Sequence, residues 1–340
     1  MNQNTGEIAS PRLDVEYYGA DFPVDVLVKR MEQEDFIIPS FQREYVWKEA
    51  EASRFIESLL IGFPTPAIFL ARDKFSSKYL VIDGQQRLKT LQYFYRESFP
   101  GGKVFKLKGV VDHFNGLTYS SLAPPDRRSL DNAIIHCIIV SENYDPNGIF
   151  YLFERLNTTG TPLNSQEIRN AIYHGSFSDL IQEISKDKIW RDLYGKSSNR
   201  STEQELILRI IALHFNSENY SGNMVDFLND FMLRNKNLEL APEDEVRNFF
   251  LGSIKFIYDC LGSKAFYRGK LFMRALYESL TILVAKEMDN GMDCKTLKEL
   301  HDFLLEDEHF WSLAKHATTS RKNLISRLKY VEELYRNSRK

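Results

Sequence analysis

The 340-residue sequence is poor in cysteine, with only three, and none of them belongs to a Cys-x-x-Cys pair. An odd number of widely spaced cysteines indicates neither a disulfide framework nor a zinc site. We therefore expect reduced and mostly buried thiols at Cys137, Cys260 and Cys294.

Long apolar runs are also missing. No stretch reaches the roughly 18 apolar residues that a membrane span requires, and Met1–Ser10 lacks the apolar region of a signal peptide. The content of 43% hydrophobic and 27% charged residues is typical of a folded globular protein. These features predict a cytoplasmic protein with no membrane partner, and its length predicts about two domains.

The sequence has no excess of positive charge, because 44 Lys and Arg face 47 Asp and Glu. A net charge of −3 gives no general attraction to nucleic acid, so any DNA contact requires a local basic patch. Residues 321–340 carry seven basic side chains against two glutamates. This segment is either the solvated face of a terminal helix or a DNA-binding surface. The candidate DNA-binding residues are Arg321, Lys322, Arg327 and Lys329.

Helix and strand signals are mixed up to about residue 175, and only helical stripes follow. The strand-like runs lie at residues 36–38, 67–71, 79–82, 103–108 and 134–140. Asp145-Pro146 and the capping box Asn164–Glu167 each begin a helix. We therefore predict an α+β fold, with a mixed domain over residues 15–175 and an all-helical domain over residues 176–340.

Polar side chains cluster at element boundaries in three segments of the mixed half. The segments are Ile37–Trp47, Val81–Leu91 and Phe153–Ala171, and all three are rich in Arg, Gln and Asn. Because loops at element boundaries often carry function, the three segments together predict one polar site built from separate parts of the chain. Outside the central segment, the side chains expected in this site are Gln42, Arg43 and Asn157.

The central segment, V-I-D-G-Q-Q-R-L-K-T-L, ends a buried strand at Asp83-Gly84 and opens a helix. One interpretation is structural, since glycine tolerates unusual backbone angles and polar residues suit a first helical turn. The other is a phosphate site. Backbone N–H groups at a helix start lie at the positive end of the helix dipole, and Arg87 is within reach for a bidentate contact. The segment alone leaves both interpretations open.

The order of these motifs resembles the N-terminal domain family of GmrSD-type modification-dependent restriction enzymes, which is itself similar to the ParB/sulfiredoxin fold. The similarity covers roughly residues 15–175. The segments that carry it are Pro39–Arg43, the helix with Ser58 and Gly62, the strand led by Pro66, Tyr79–Leu88, Asn157, Pro162–Asn164 and Glu167.

The resemblance implies binding of a nucleoside triphosphate. In ParB-like domains a Gly-Glu-Arg-Arg turn binds nucleotide phosphates, and Gly84–Arg87 occupies that place here. Sulfiredoxin chemistry needs a cysteine in this turn, and the sequence has none there. The residues assigned to nucleotide binding are Gln42, Arg43, Gly84, Gln85, Gln86, Arg87 and Asn157, and those assigned to catalysis are Asp83 and Arg87.

The resemblance also implies a bound Mg²⁺. Asn157 matches the family asparagine that helps to hold the ion, but the glutamate expected directly before it is Leu156. A hard cation needs oxygen ligands, and Glu154, Asp83 and Glu167 are the candidates for the missing one. We assign Asn157 and Glu154 as the metal ligands.

Two functions follow from the resemblance. In the first, the chain is an Mg²⁺-dependent NTPase that serves as the sensor subunit of a DNA restriction or phage-defence system, with DNA and a separate nuclease as partners. It would need that nuclease because the chain lacks a His-Asn-His pattern: His301, His309 and His316 lie among apolar residues at helical spacing. In the second, the chain is a non-hydrolysing, nucleotide-gated regulator that binds DNA or a partner protein.

Overall fold

The computed structural model describes residues 16–38, 45–72, 78–141, 146–156, 163–195, 201–315 and 318–338. The chain divides into two compact units, and the boundary lies between Leu163 and Asn164. From the sequence we predicted this boundary after residue 175, which is beyond the short helix Ser165–Ile172. That helix packs against helices of the second unit, which is why it belongs there.

The first unit is built on a mixed five-stranded sheet in the order β1-β7-β3-β4-β2. Strands β1 and β7 are antiparallel, as are β3 and β4, whereas β7 with β3 and β4 with β2 are parallel. A small hairpin of β5 and β6 lies outside this sheet. The strands are β1 (Tyr17–Pro23), β2 (Phe36–Ile37), β3 (Ile68–Arg72), β4 (Tyr79–Asp83), β5 (Ser98–Phe99), β6 (Lys103–Val104) and β7 (Ile134–Val140).

Among the described residues of this unit, five helices accompany the sheet, and their apolar sides build the core. Val24 and Leu27 from the first helix, Ile56 from the second and Leu88 and Leu91 from the third are fully buried, together with the inward side chains of the sheet. The helices are α1 (Val24–Glu32), α2 (Glu49–Leu60), α3 (Gln85–Tyr95), α4 (Pro124–Asp131) and α5 (Pro146–Leu156).

Most strand predictions in this unit are confirmed. In β7 the side chains of Ile135, Cys137 and Ile139 are buried and alternate with exposed or half-buried residues at 134, 136 and 138, as a two-residue period requires; Val140 at the strand end is also buried. The predicted strand at 103–108 is wrong beyond Val104. Strand β1 was missed because its sequence, YYGADFP, contains Gly, Asp and Pro; it forms through pairing with β7 along its whole length.

Where the structure describes it, the second unit is helical, as predicted, apart from a short hairpin of β8 (Tyr267–Arg268) and β9 (Leu271–Phe272) that the sequence did not predict. Its core includes Trp190, Ile210, Phe250 and Leu280, all fully buried. Two 3-10 helices lie at Ser217–Asn219 and Met288–Asn290. The α-helices are α6 (Ser165–Ile172), α7 (Ser176–Ile184), α8 (Lys188–Tyr194), α9 (Thr202–Asn216), α10 (Met224–Arg234), α11 (Glu243–Leu261), α12 (Arg274–Glu287), α13 (Cys294–Glu306), α14 (Glu308–Leu313) and α15 (Arg321–Ser338).

The cysteines differ from the sequence prediction. Cys137 is free and buried, as expected. Cys260 and Cys294, however, are joined by a disulfide, with their Cα atoms 4.9 Å apart. The prediction of reduced thiols is wrong for this pair, because the end of α11 lies next to the start of α13. The separation of 34 residues between the two cysteines in the sequence does not reveal this proximity. None of the helices in the described ranges is long and apolar enough to cross a membrane.

Candidate functional site

The turn between β4 and α3 requires a glycine for two structural reasons. Gly84 has a φ of 105°, in the region that side chains disfavour. A Cβ atom added at this position would also lie 2.8 Å from Cγ1 of Ile68, on the neighbouring strand β3. The first turn of α3 therefore begins without a side-chain cap and presents the positive end of the helix dipole at this turn.

The guanidinium group of Arg87 is bonded within the protein. Its Nη1 donates to the backbone oxygens of Pro66 and Ala67, the latter at 3.0 Å, and its Nη2 donates to Oδ2 of Asp83 at 2.6 Å. Only 10% of the Arg87 side chain is exposed. Burial lowers the pKa of Arg87, and the Asp83 carboxylate opposes this shift. Arg87 thus braces the segment before β3 against the β4–α3 turn, whereas the sequence assigned it to a phosphate.

Asp83 is the more accessible member of this pair. It is the last residue of β4, and 47% of its side chain is exposed although Oδ2 accepts the bond from Arg87. A carboxylate that is fixed by one partner and open to solvent on another side is well placed to contact a ligand. Of the two residues assigned to catalysis, the geometry therefore favours Asp83 for ligand contact and Arg87 for positioning it.

Gln86 connects the central polar segment to the first one. Its Oε1 accepts hydrogen bonds from the backbone N–H of Val46 at 3.0 Å and of Trp47 at 3.4 Å. One turn further along α3, the hydroxyls of Tyr45 and Thr90 are 2.8 Å apart, and burial raises the pKa of Tyr45 to about 12. The stretch that directly follows Gln42-Arg43 is thus held against the first turns of α3. Gln42 and Arg43 themselves lie outside the described residues.

The third polar segment is described only in part. Asn157 lies outside the described residues, and Glu154 is exposed near the end of α5. The capping box of α6 is confirmed: Asn164 Oδ1 accepts from the backbone N–H groups of Gln166 and Glu167, and Glu167 Oε2 accepts from Asn164 N at 2.7 Å. Glu167 is therefore occupied as a cap. Among the described residues, no three His, Cys, Asp or Glu side chains are grouped to hold a metal ion.

A cleft of about 410 Å³ lies one strand away from Asp83. Phe69 of β3 lines this cleft and is paired with Asp83 across the β3–β4 ladder. Its polar and aromatic walls were not predicted from the sequence, although the spacing of Tyr151 and Arg155 on one face of α5 was a usable signal. The remaining lining residues are Tyr17, Ile138, Val140, Gly148 and Leu152.

The basic residues of α15 separate into two groups. Arg321, Lys322 and Lys329 are exposed, as a DNA-binding surface requires. Arg327 is not, because only 1% of its side chain is accessible and its Nη2 donates to Oε2 of Glu278 at 2.6 Å. The assignment of Arg327 to DNA is therefore corrected: its guanidinium lies in the interior of the second unit, on the side of α15 that also buries Leu324 and Val331.

Comparison with known proteins identifies the class of the N-terminal domain. Residues 24–174 match the family described as GmrSD restriction endonuclease, N-terminal domain. The match includes all three polar segments, and it confirms the resemblance inferred from the motifs. The family is that of a DNA restriction system. No curated protein matches the chain.

Proposed function

We propose that the N-terminal unit binds a nucleoside triphosphate with Mg²⁺ at the β4–α3 turn, and that the chain is the nucleotide-dependent sensor subunit of a DNA restriction or phage-defence system. The observation that carries this proposal is the contact between Gln86 and the backbone of Val46 and Trp47. It brings the segment after Gln42-Arg43 to the first turn of α3, where backbone geometry and helix dipole favour an anion.

The nucleotide would lie with its phosphates at the start of α3, near Gly84 and Gln86. Arg43 would supply the charge-assisted contact that Arg87 does not make in this structure. The cleft beside Asp83 would take the base, since its walls offer the rings of Phe69, Tyr17 and Tyr151 for stacking. Its volume of about 410 Å³ lies within the range of about 300–1,000 Å³ that is typical of small-molecule sites.

The oxygen ligands for Mg²⁺ in this proposal are Glu154 and Asn157. A carboxylate and an amide oxygen suit a hard divalent cation, and the side chain of Glu154 is exposed to solvent. When bound, Mg²⁺ would neutralise charge on the phosphate oxygens. Asp83, held in place by Arg87, would orient the attacking water for hydrolysis.

A second candidate function, nucleotide binding without hydrolysis, is favoured by the bonding of Arg87. A guanidinium that is committed to Asp83 and two backbone oxygens is not available to stabilise charge in a transition state. In this case nucleotide binding would act as a switch for DNA or partner binding.

Phosphate release distinguishes the two functions. We would incubate the purified chain with each common NTP and Mg²⁺, with and without DNA, and compare Asp83→Asn with the wild type. Hydrolysis predicts phosphate release that Asp83→Asn reduces at least about tenfold while NTP still binds, as for removal of a water-orienting group. NTP binding without release from the wild type would support the regulator. Absence of binding by any NTP would contradict both.

The proposed DNA contact uses the exposed face of α15. Lys322, Lys329 and Arg336 recur at intervals of seven residues and so lie along one face of the helix. Arg336 is bonded to Glu332 on the same helix, which leaves Lys322, Lys329 and the neighbouring Arg321 as the candidates for phosphate contact.

A further inference from the structure

The second unit contains a cavity of about 370 Å³ with a strongly basic wall. Among the described residues that line it, Arg209, Arg274 and Arg327 are basic, and Glu278 is the one that is acidic. Arg209 Nη2 lies 2.6 Å from Oε1 of Glu278, and Arg327 Nη2 lies 2.6 Å from Oε2. One carboxylate therefore serves two buried guanidinium groups, and the wall keeps an excess of positive charge.

Two of the three arginines at this wall and the glutamate between them are buried side chains. The side chains of Arg209, Glu278 and Arg327 are each at most 3% exposed. Within the described part of the chain, the Nε atom of Arg327 is buried and has no hydrogen-bond partner. A buried charge without a full counter-charge is unfavourable, and an anion in the cavity would supply the missing negative charge.

The start of α12 adds to the attraction for an anion. Arg274 and Ala275, the first two residues of this 14-residue helix, line the cavity. The residue before them, Met273, provides no side-chain cap in the described structure. The positive end of the α12 dipole and the exposed side chain of Arg274 therefore face the same space as the buried arginines.

The rest of the cavity wall is largely aromatic, and this indicates what kind of molecule carries the anionic group. Tyr194, Phe272 and Trp311 line the cavity, and the rings of Tyr194 and Phe272 meet edge to face with centroids 5.4 Å apart. The hydroxyl residues Thr202 and Thr318 are also in the wall. Aromatic rings bind flat heterocycles through their faces and edges, a contact that a small inorganic anion does not make.

We propose that this cavity is a second ligand site that binds a single nucleotide, with its phosphate at the arginines and the start of α12 and its base on the aromatic wall. The volume of the cavity lies near the lower end of the range of about 300–1,000 Å³ that is typical of small-molecule sites. The nucleotide can come from two sources, a free mononucleotide or a nucleotide within a single strand of DNA.

The test is a calorimetric titration of the full chain without Mg²⁺. The probes are the common nucleoside monophosphates, inorganic phosphate and a single-stranded DNA of about ten nucleotides. We expect at least one monophosphate or the strand to bind, and inorganic phosphate to bind at least about tenfold more weakly because it does not use the aromatic wall. Binding of the monophosphate identifies a free nucleotide as the source, and binding of the strand alone identifies DNA.

Two variants assign the binding to this cavity. Arg274→Gln removes an exposed positive charge from the wall without touching the buried arginines, and we expect it to weaken nucleotide binding about tenfold or more. Lys270→Gln removes an equivalent charge from an exposed residue outside the wall and should leave binding within about twofold. Equal effects of the two variants, equal affinity for inorganic phosphate, or no nucleotide binding at all would overturn the proposal.

Discussion

The side-chain oxygen of Gln86 accepts a hydrogen bond from the backbone N–H of Val46 at 3.0 Å. This contact joins two motifs that are 40 residues apart in the sequence. The described end of the first motif, Tyr45 to Trp47, is thus held by a side chain of the second. The contact brings described residues of two of the three polar segments together, and the single site built from all three stays a prediction.

Gln86→Ala should loosen the stretch from Tyr45 to Trp47 with little effect on the fold. A lost neutral hydrogen bond costs about 0.5–1.5 kcal/mol, so we expect NTP affinity to fall about 2- to 13-fold. Hydrogen exchange at the amides of Val46 and Trp47 should become faster by a similar factor. The control is Gln92→Ala, because Gln92 lies on the same helix and contacts Glu32 instead. Unchanged exchange at both amides would show that Gln86 does not hold this segment.

Arg87→Ala should destabilise the N-terminal unit in the absence of any ligand. It leaves Asp83 and the carbonyl groups of Pro66 and Ala67 without their donor, and hydrogen bonds to charged groups contribute about 1.5–3 kcal/mol. Urea unfolding measures this loss, and Arg128→Ala, at an exposed position on α4, is the matched control. An unfolding free energy equal to that of the control would contradict the bracing role of Arg87.

Gly84→Ala should cost more stability than Gly62→Ala. Both glycines have a positive φ, which costs about 1–3 kcal/mol when a side chain is added. Only Gly84 also meets a neighbour, since the methyl group would approach Ile68, whereas nothing lies within 4 Å of a Cβ at Gly62. In an Ile68→Ala background, Gly84→Ala should cost less unfolding free energy, because the clash with Ile68 is gone. The difference between the two backgrounds is the coupling energy, and we expect about 0.5–3 kcal/mol. If the changes in unfolding free energy of the two substitutions simply add, Ile68 does not restrict this turn.

The contribution of α15 to DNA binding is best tested by point substitutions. Deleting residues 321–340 would remove the buried Leu324, Val331 and Tyr335 and disrupt the unit. Lys322→Gln combined with Lys329→Gln should weaken DNA binding at all sequences. The slope of the logarithm of the binding constant against the logarithm of the salt concentration should become shallower by about 0.9 for each lost phosphate contact. Lys295→Gln with Lys298→Gln, at exposed positions on α13, is the charge-matched control. Equal slopes in both double variants would exclude this face from the DNA contact.

The sequence predicted features that depend on local pattern. Strand β7 and the capping box at Asn164 follow from the alternation of side chains and from residues three positions apart. It failed where distant partners decide. Arg87 and Arg327 both have the residue type of a phosphate ligand. Arg87, however, donates to backbone oxygens 20 and 21 residues away as well as to Asp83, and Arg327 donates to a carboxylate 49 residues away.

The same limit applies to the walls of the two cavities. Tyr17 and Arg155 meet at one cleft only because β1 pairs with β7 and α5 lies nearby. Arg209, Arg274 and Trp311 meet at the other because three helices of the second unit converge there. Periodicity along one element identifies which of its faces is buried, but it does not identify which faces of different elements share a cavity.

The central claim is that the N-terminal unit binds a nucleoside triphosphate through the segment held by Gln86. Its most direct test is a calorimetric titration of each common NTP, with and without Mg²⁺, into the wild type, Arg43→Ala and Arg128→Ala. We predict an Mg²⁺-dependent binding event that Arg43→Ala weakens about 10- to 150-fold, the effect of losing a charge-assisted hydrogen bond. Arg128→Ala should leave it within about twofold. Absence of Mg²⁺-dependent binding for every NTP, or equal affinity in the two variants, would contradict the claim.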